Sequence, residues 1–187
     1  AIYKSNSLLT IADSGASNNN LQSTFPFSGF AGFSLGGAQQ NDLNFAIETI
    51  RSRDFFANLV SKYDIYHKLV ASKSFRNNEI IYDENIFSKQ SGWKIDQNGN
   101  SLKPSLEQGH TIYLKTIFLV EDVKTSYLKL GVEHHSPIFA KELNSLIVSE
   151  LNQQARNKKI NESNKALEFL NGELADRKST RLNSSHQ

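Results

Sequence analysis

The side chains with the widest chemical repertoire here are His134 and His135, which stand next to each other. Neutral imidazoles bind transition metals and shuttle protons. Val132 to His135 reads as the end of an extended segment, and adjacent residues of a strand point to opposite faces. The pair therefore cannot chelate one ion without distortion. The remaining histidines, His67, His110 and His186, form neither H-x-x-x-H nor H-E-x-x-H. Two carboxylate pairs, Asp83-Glu84 and Glu121-Asp122, are sequence neighbours beside turn residues, where acids are simply solvated. Glycoside hydrolysis instead needs two acids held apart across a cleft. Gly36-Gly37 lacks the Lys-Ser/Thr of a phosphate loop, and there is no G-x-S-x-G. The expectation is no catalytic residue, no cofactor and no metal.

Three other features have two readings each. In Arg51-Ser52-Arg53, two guanidiniums near a helix start suit an anion such as a lipid phosphate. The alternative is a solvated hinge with local salt bridges to Glu48 and Asp54. Trp93, the single Trp, is either a packing anchor or a sugar-stacking platform. Ser14 to Asn41 carries no charge but holds Phe25, Phe27, Phe30 and Phe33. It is either a loop with its aromatics tucked onto the domain or a sticky segment that touches a neighbouring subunit or a membrane surface.

The elements that position these residues follow from periodicity. Residues 1–12 alternate weakly as a strand, with Tyr3, Ser5, Ser7, Leu9 and Ile11 on one face. Asp42 is the expected cap of a helix bearing Leu43, Ala46, Ile47 and Ile50. A second helix is expected from Asp54, with Phe55, Phe56, Leu59 and Val60 inward, and a short third through Ile65, Tyr66, Leu69 and Val70. Residues 75–103 read as irregular, punctuated by Asn77-Asn78, Ser91-Gly92 and Asn98-Gly99. Pro104-Ser105 opens a helix with Leu106, His110, Tyr113 and Leu114 on its stripe. Residues 117–122 and 126–132 form an antiparallel hairpin turning at Val123-Lys124-Thr125, with Lys129 outward and Leu128, Leu130 and Val132 inward.

The chain then turns abruptly. Ser136 is a good N-cap and Pro137 fits N1, where a missing N–H costs nothing. Phe139, Leu143, Leu146, Ile147 and Leu151 follow at helical spacing, with His135 expected beside the cap. After a polar stretch the stripe returns at Leu167, Leu170 and Leu174. A helix of about forty residues spans about 60 Å, too long for so small a base to cover, so its distal half needs a partner. The fold expected is α+β: a small mixed or antiparallel sheet packed with helices, plus one long protruding C-terminal helix. The base occupies 1–136 and the long helix 137–176.

Composition limits the partners. With 21 basic and 19 acidic residues, the charge is too balanced to argue for nucleic acid. There is no Cys, which excludes a disulfide framework and leaves the compartment open. No run of about eighteen apolar residues spans a bilayer. The first residues lack the basic and apolar regions of a signal peptide, and the chain has no Met, so it reads as an excised piece.

Four motifs in order carry a resemblance. Glu133-His134-His135-Ser136-Pro137-Ile138-Phe139-Ala140 resembles the E-H-x-S-P-x-x-A junction of bacterial polysaccharide chain-length determinants, the Wzz-type polysaccharide co-polymerases. Ile50-Arg51-Ser52-Arg53-Asp54 resembles the L-x-S-R-D/E of that family's first helical pair. Lys103-Pro104-Ser105-Leu106 and Leu119-Val120-Glu121-Asp122 resemble its middle helix and central strand. The likeness covers about residues 1–175. It implies Arg51, Ser52, Arg53, Glu133, His134, Ser136, Pro137 and Ala140 as structural motif residues. It further implies a non-enzymatic regulator of O-antigen chain length, homo-oligomeric on the periplasmic face of the bacterial inner membrane. The implied partners are the polysaccharide polymerase and a lipid-linked polysaccharide. Membrane attachment would come through flanking helices, and a return helix would pack on the long one. Alternatives are an exporter of the tyrosine-kinase-linked type and a polysaccharide-binding module. Residues 177–187 do not resemble the family; they resemble a translated sequencing adapter and carry no expectation of fold.

Overall fold

The computed structural model describes residues 1–10, 39–122, 125 and 127–184. The expected Ser14–Asn41 loop therefore lies almost wholly outside the described residues, as does most of the 123–126 turn. The fold is α+β, with antiparallel sheets and a long C-terminal helix. The main sheet has three strands: β1 (Tyr3–Thr10), β6 (Ile117–Asp122) and β7 (Tyr127–His134), in the order β1-β7-β6. Its register sets Leu9 opposite Leu128 and Ser5 opposite Val132 on one flank, and Ile117 opposite Val132 on the other. Leu128, Leu130 and Val132 are fully buried while Lys129 points out, as the period-2 pattern requires. On the outer face the Phe118 ring lies over Gly131. A Cβ at 131 would collide with that ring, so only glycine permits the contact.

Helices back the inner face. α1 (Gln39–Arg51) buries Leu43, Ala46 and Ile50. It starts three residues before Asp42, which therefore lies inside the helix rather than capping it. α2 (Arg53–Lys62) buries Phe55, Phe56 and Leu59, and α3 (Tyr66–Val70) buries Tyr66 and Leu69. Ser52, not Asp54, opens α2: its hydroxyl accepts the Phe55 N–H. α4 (Leu106–Thr116) carries a reciprocal Ser105/Gln108 capping box.

The α4 stripe is rotated from the one expected. Leu106 and Leu114 are exposed, and Gly109 and Tyr113 are buried. Glycine is silent in a hydrophobic pattern, yet here it is the point of closest approach. The Tyr66 ring occupies the space a Cβ at 109 would need.

Residues 72–101, read largely as irregular, contain two small hairpins and an isolated bridge. β2 (Ser72–Arg76) pairs with β3 (Glu79–Tyr82) through Asn77-Asn78, both at positive φ (49° and 65°). That is the conformation of a two-residue primed turn. β4 (Phe87–Ser88) pairs with β5 (Gly92–Trp93), and Ile95 bridges to Ser101. Strands of two to five residues are too short to show a period. Trp93 packs against Tyr66 and Phe87, with ring centroids 5.9 and 5.0 Å away. It packs as an anchor between the hairpins and α3 while staying partly exposed.

The last helix, α5 (Pro137–Ser184), runs for 48 residues, about 72 Å at 1.5 Å per residue. It passes through Gly172 and beyond residue 176, where the sequence reading ended it. Its first turns bury Phe139, Ala140, Leu143, Ile147, Val148 and Leu151 in the same core as the sheet and α1–α3, and Ala155 is buried one turn further on. Beyond that, Ile160, Leu167 and Phe169 are 57%, 58% and 68% exposed. Among the described residues no helix is long and apolar enough to cross a membrane.

Candidate functional site

The junction between β7 and α5 is the most tightly specified part of the molecule. Ser136 is buried, and its hydroxyl accepts the Phe139 N–H at 3.2 Å. Its carbonyl accepts the Ala140 N–H at 2.9 Å. Two donors of the first helical turn are thus satisfied by one residue. Pro137 occupies N1, exposed, where no donor is missed. Ala140 is buried against the core, where a longer side chain would have to displace its neighbours.

His134, not His135, completes the junction. It is 6% exposed and touches three elements. The Ser136 N–H donates to its Nδ1 at 3.0 Å, which places the ring proton on Nε2. Nε2 faces the Ser72 hydroxyl at 2.8 Å, where β2 begins, and the Lys68 carbonyl of α3 at 3.2 Å. The ring meets Phe139 edge-on, 4.6 Å between centroids. Burial and the neighbouring His135 push its pKa down to about 4, so it is neutral at ordinary pH. One strand residue thereby joins the base to the start of α5.

The Ser72–His134 contact has the spacing of a nucleophile and its base. The protonation does not fit that role: a base must offer a free lone pair to the serine, and Nδ1 has taken the backbone donor instead. Glu133, beside it, faces outward and pairs across the sheet with Lys4 at 2.6 Å. Lys4 also sits 5.5 Å from the Phe118 ring centroid. His134 and His135 hold their rings 5.9 Å apart and tilted 62°. Among the described residues no cluster of His, Asp and Glu could hold a metal ion.

The second motif, Arg51-Ser52-Arg53, lies at the α1–α2 turn. Ser52 caps α2 and donates its hydroxyl to the Thr49 carbonyl at 2.9 Å. The end of α1 is closed by α4. Tyr113 donates to the Ile50 carbonyl at 3.0 Å, and His110 Nε2 to the Arg51 carbonyl at 2.8 Å. Burial pushes the Tyr113 phenol pKa up, so it stays a donor. Both guanidiniums are exposed, and neither forms the expected salt bridge to Glu48 or Asp54 among the described residues. The structure leaves this motif apart from the β7–α5 junction. What the two share is a serine cap that fixes an abrupt change of chain direction.

Two polar sites escaped the sequence reading. Glu150, 1% exposed, accepts from Lys62 Nζ at 2.9 and 3.0 Å and from Asn58 at 2.6 Å, tying α5 to α2. Asn144 is buried against β1: it donates to the Ser5 carbonyl at 2.9 Å and accepts from the Ser7 hydroxyl. A signal for Glu150 was present, since it falls three residues after Ile147 on the apolar stripe. The inward serines of β1 likewise match Asn144. Both features also make the pattern look weak, which is why they were passed over.

Comparison with protein-family models, with curated proteins and with solved structures finds no match. The family resemblance therefore rests on the four short motifs alone.

Proposed function

We propose that this protein is a non-enzymatic regulator of surface-polysaccharide chain length, acting as a homo-oligomer on the periplasmic face of the bacterial inner membrane. Its partners in this reading are the polysaccharide polymerase and the lipid-linked polymer. The observation that carries it is the shape of the molecule. A small base with one core launches a helix of about 72 Å through a rigidly capped junction. Ile160, Leu167 and Phe169 on its outer half are exposed, with none of the described residues of the base covering them. That is the form of a protomer that completes its packing with other chains. Two of the four motifs resembling the chain-length determinants lie at the serine-capped turns before α2 and α5.

In this reading, product length follows from assembly geometry and contact with the polymerase rather than from a catalytic group. Deleting the gene in its host and resolving the surface polysaccharide by gel tests it. The reading predicts that a distribution clustered around a preferred length becomes one that declines smoothly with length, while polymer is still made. Loss of all polymer, or an unchanged distribution, would contradict it.

A further inference from the structure

We propose that His134 makes the β7–α5 junction an acid-sensitive latch: its protonation unfastens the start of the long helix from the base while the rest of the core stays folded. In the neutral ring Nδ1 accepts the Ser136 N–H and Nε2–H donates toward Lys68 and Ser72. Adding a proton to Nδ1 sets a donor against a donor, and that bond is lost. The Ser136 amide then has no partner in a buried position. The new positive charge would also lie at the N-terminus of α5, where the helix dipole disfavours it.

The surroundings offer the charge no relief. Along the chain its neighbours are His135, just past the strand with its ring 5.9 Å away, and Glu133, already engaged by Lys4 of β1. Tyr3 of β1 is its register partner. α3 presents His67, paired with Asp64, and Lys68, whose Nζ holds Glu142 of α5 at 2.9 Å. β2 adds Lys73 and α5 adds Lys141. Glu133 and Glu142 are thus taken by lysines, and Asp64 by His67.

The direction of the effect follows from linkage. A histidine whose folded pKa is depressed, here to about 4, supports the closed state fully above its free pKa of about 6.5. That support is lost progressively as pH falls from about 6.5 towards 4. Between pH 7 and pH 5 the open form should gain roughly twentyfold.

Amide hydrogen exchange on the full chain at pH 7, 6 and 5, corrected for intrinsic rates, tests this. The Ser136, Phe139 and Ala140 amides should lose about twentyfold in protection, while the Tyr63 amide bonded to Leu59 changes little. His134→Asn keeps an acceptor for the Ser136 N–H, as in an Asx turn, but cannot titrate; its junction should be insensitive to pH. Unchanged protection in the wild type, equal loss at Tyr63, or the same pH response in His134→Asn would overturn the latch. Should that variant not fold, the His134 ring resonances of the wild type decide: a midpoint near 4 supports the proposal and one near 6.5 overturns it.

Discussion

The two halves of α5 are one continuous helix held by different forces. From Pro137 to Ala155 the helix is part of the core, with a buried residue at nearly every inward position and the Glu150–Lys62 pair pinning it to α2. Lys158 still reaches the base, 4.0 Å from the Phe45 ring centroid. Beyond it, the described side chains stand in solvent. Isolated helices gain little from propensity alone, and most helical stability in proteins comes from packing an apolar face. The inner half is thus specified by packing within this chain, whereas the described side chains of the outer half are exposed rather than covered by the described residues.

The sharpest way to break the comparison is to truncate one apolar side chain in each half. Leu143→Ala removes a fully buried side chain and should cost about 2–5 kcal/mol in urea unfolding. Leu167→Ala, in the dilute chain, should stay within about 0.5 kcal/mol of wild type. Similar losses from both would mean that the outer half is already packed. A smaller effect is expected at the pin. Lys62→Met leaves the Glu150 carboxylate buried without its cation and should cost about 2 kcal/mol. A double-mutant cycle with Glu150→Gln should return a coupling of at least about 1 kcal/mol. Additive losses would show that the pair does not join α2 to α5. A smaller loss again is expected at the cap: Ser136→Ala should cost about 1 kcal/mol without abolishing the fold. Unfolding indistinguishable from wild type would show that the hydroxyl is not what fixes the start of α5.

The legibility of these regions in the sequence follows the same division. The β6–β7 hairpin and the inner half of α5 were readable because each buries one face of a regular period: Leu128, Leu130 and Val132 in steps of two, Phe139, Leu143, Ile147 and Leu151 in steps of four. The junction was readable because Ser136-Pro137 is local chemistry. Residue chemistry alone places His135 beside the cap, and His134 enters only through the family resemblance. Alternation along β7 already places 134 on the side of 130 and 132, so the inward histidine was there to be found. The β2–β3 and β4–β5 hairpins were hidden, since such short strands take their pairing from tertiary contacts such as Phe87 on Trp93. The capping of α1 by Tyr113 and His110 joins residues about sixty positions apart, which no local pattern can express.

We propose that the outer half of α5 serves assembly, and through assembly sets polymer length. The direct measurement is the surface-polysaccharide length distribution in host cells whose only copy of the gene carries Leu167→Glu and Phe169→Glu, with protein abundance held equal. These substitutions place charge on residues that are exposed in the single chain, so the base should fold as before. The account predicts that the preferred length disappears and the distribution declines smoothly, as in the deletion. A length distribution identical to wild type at equal abundance would contradict it.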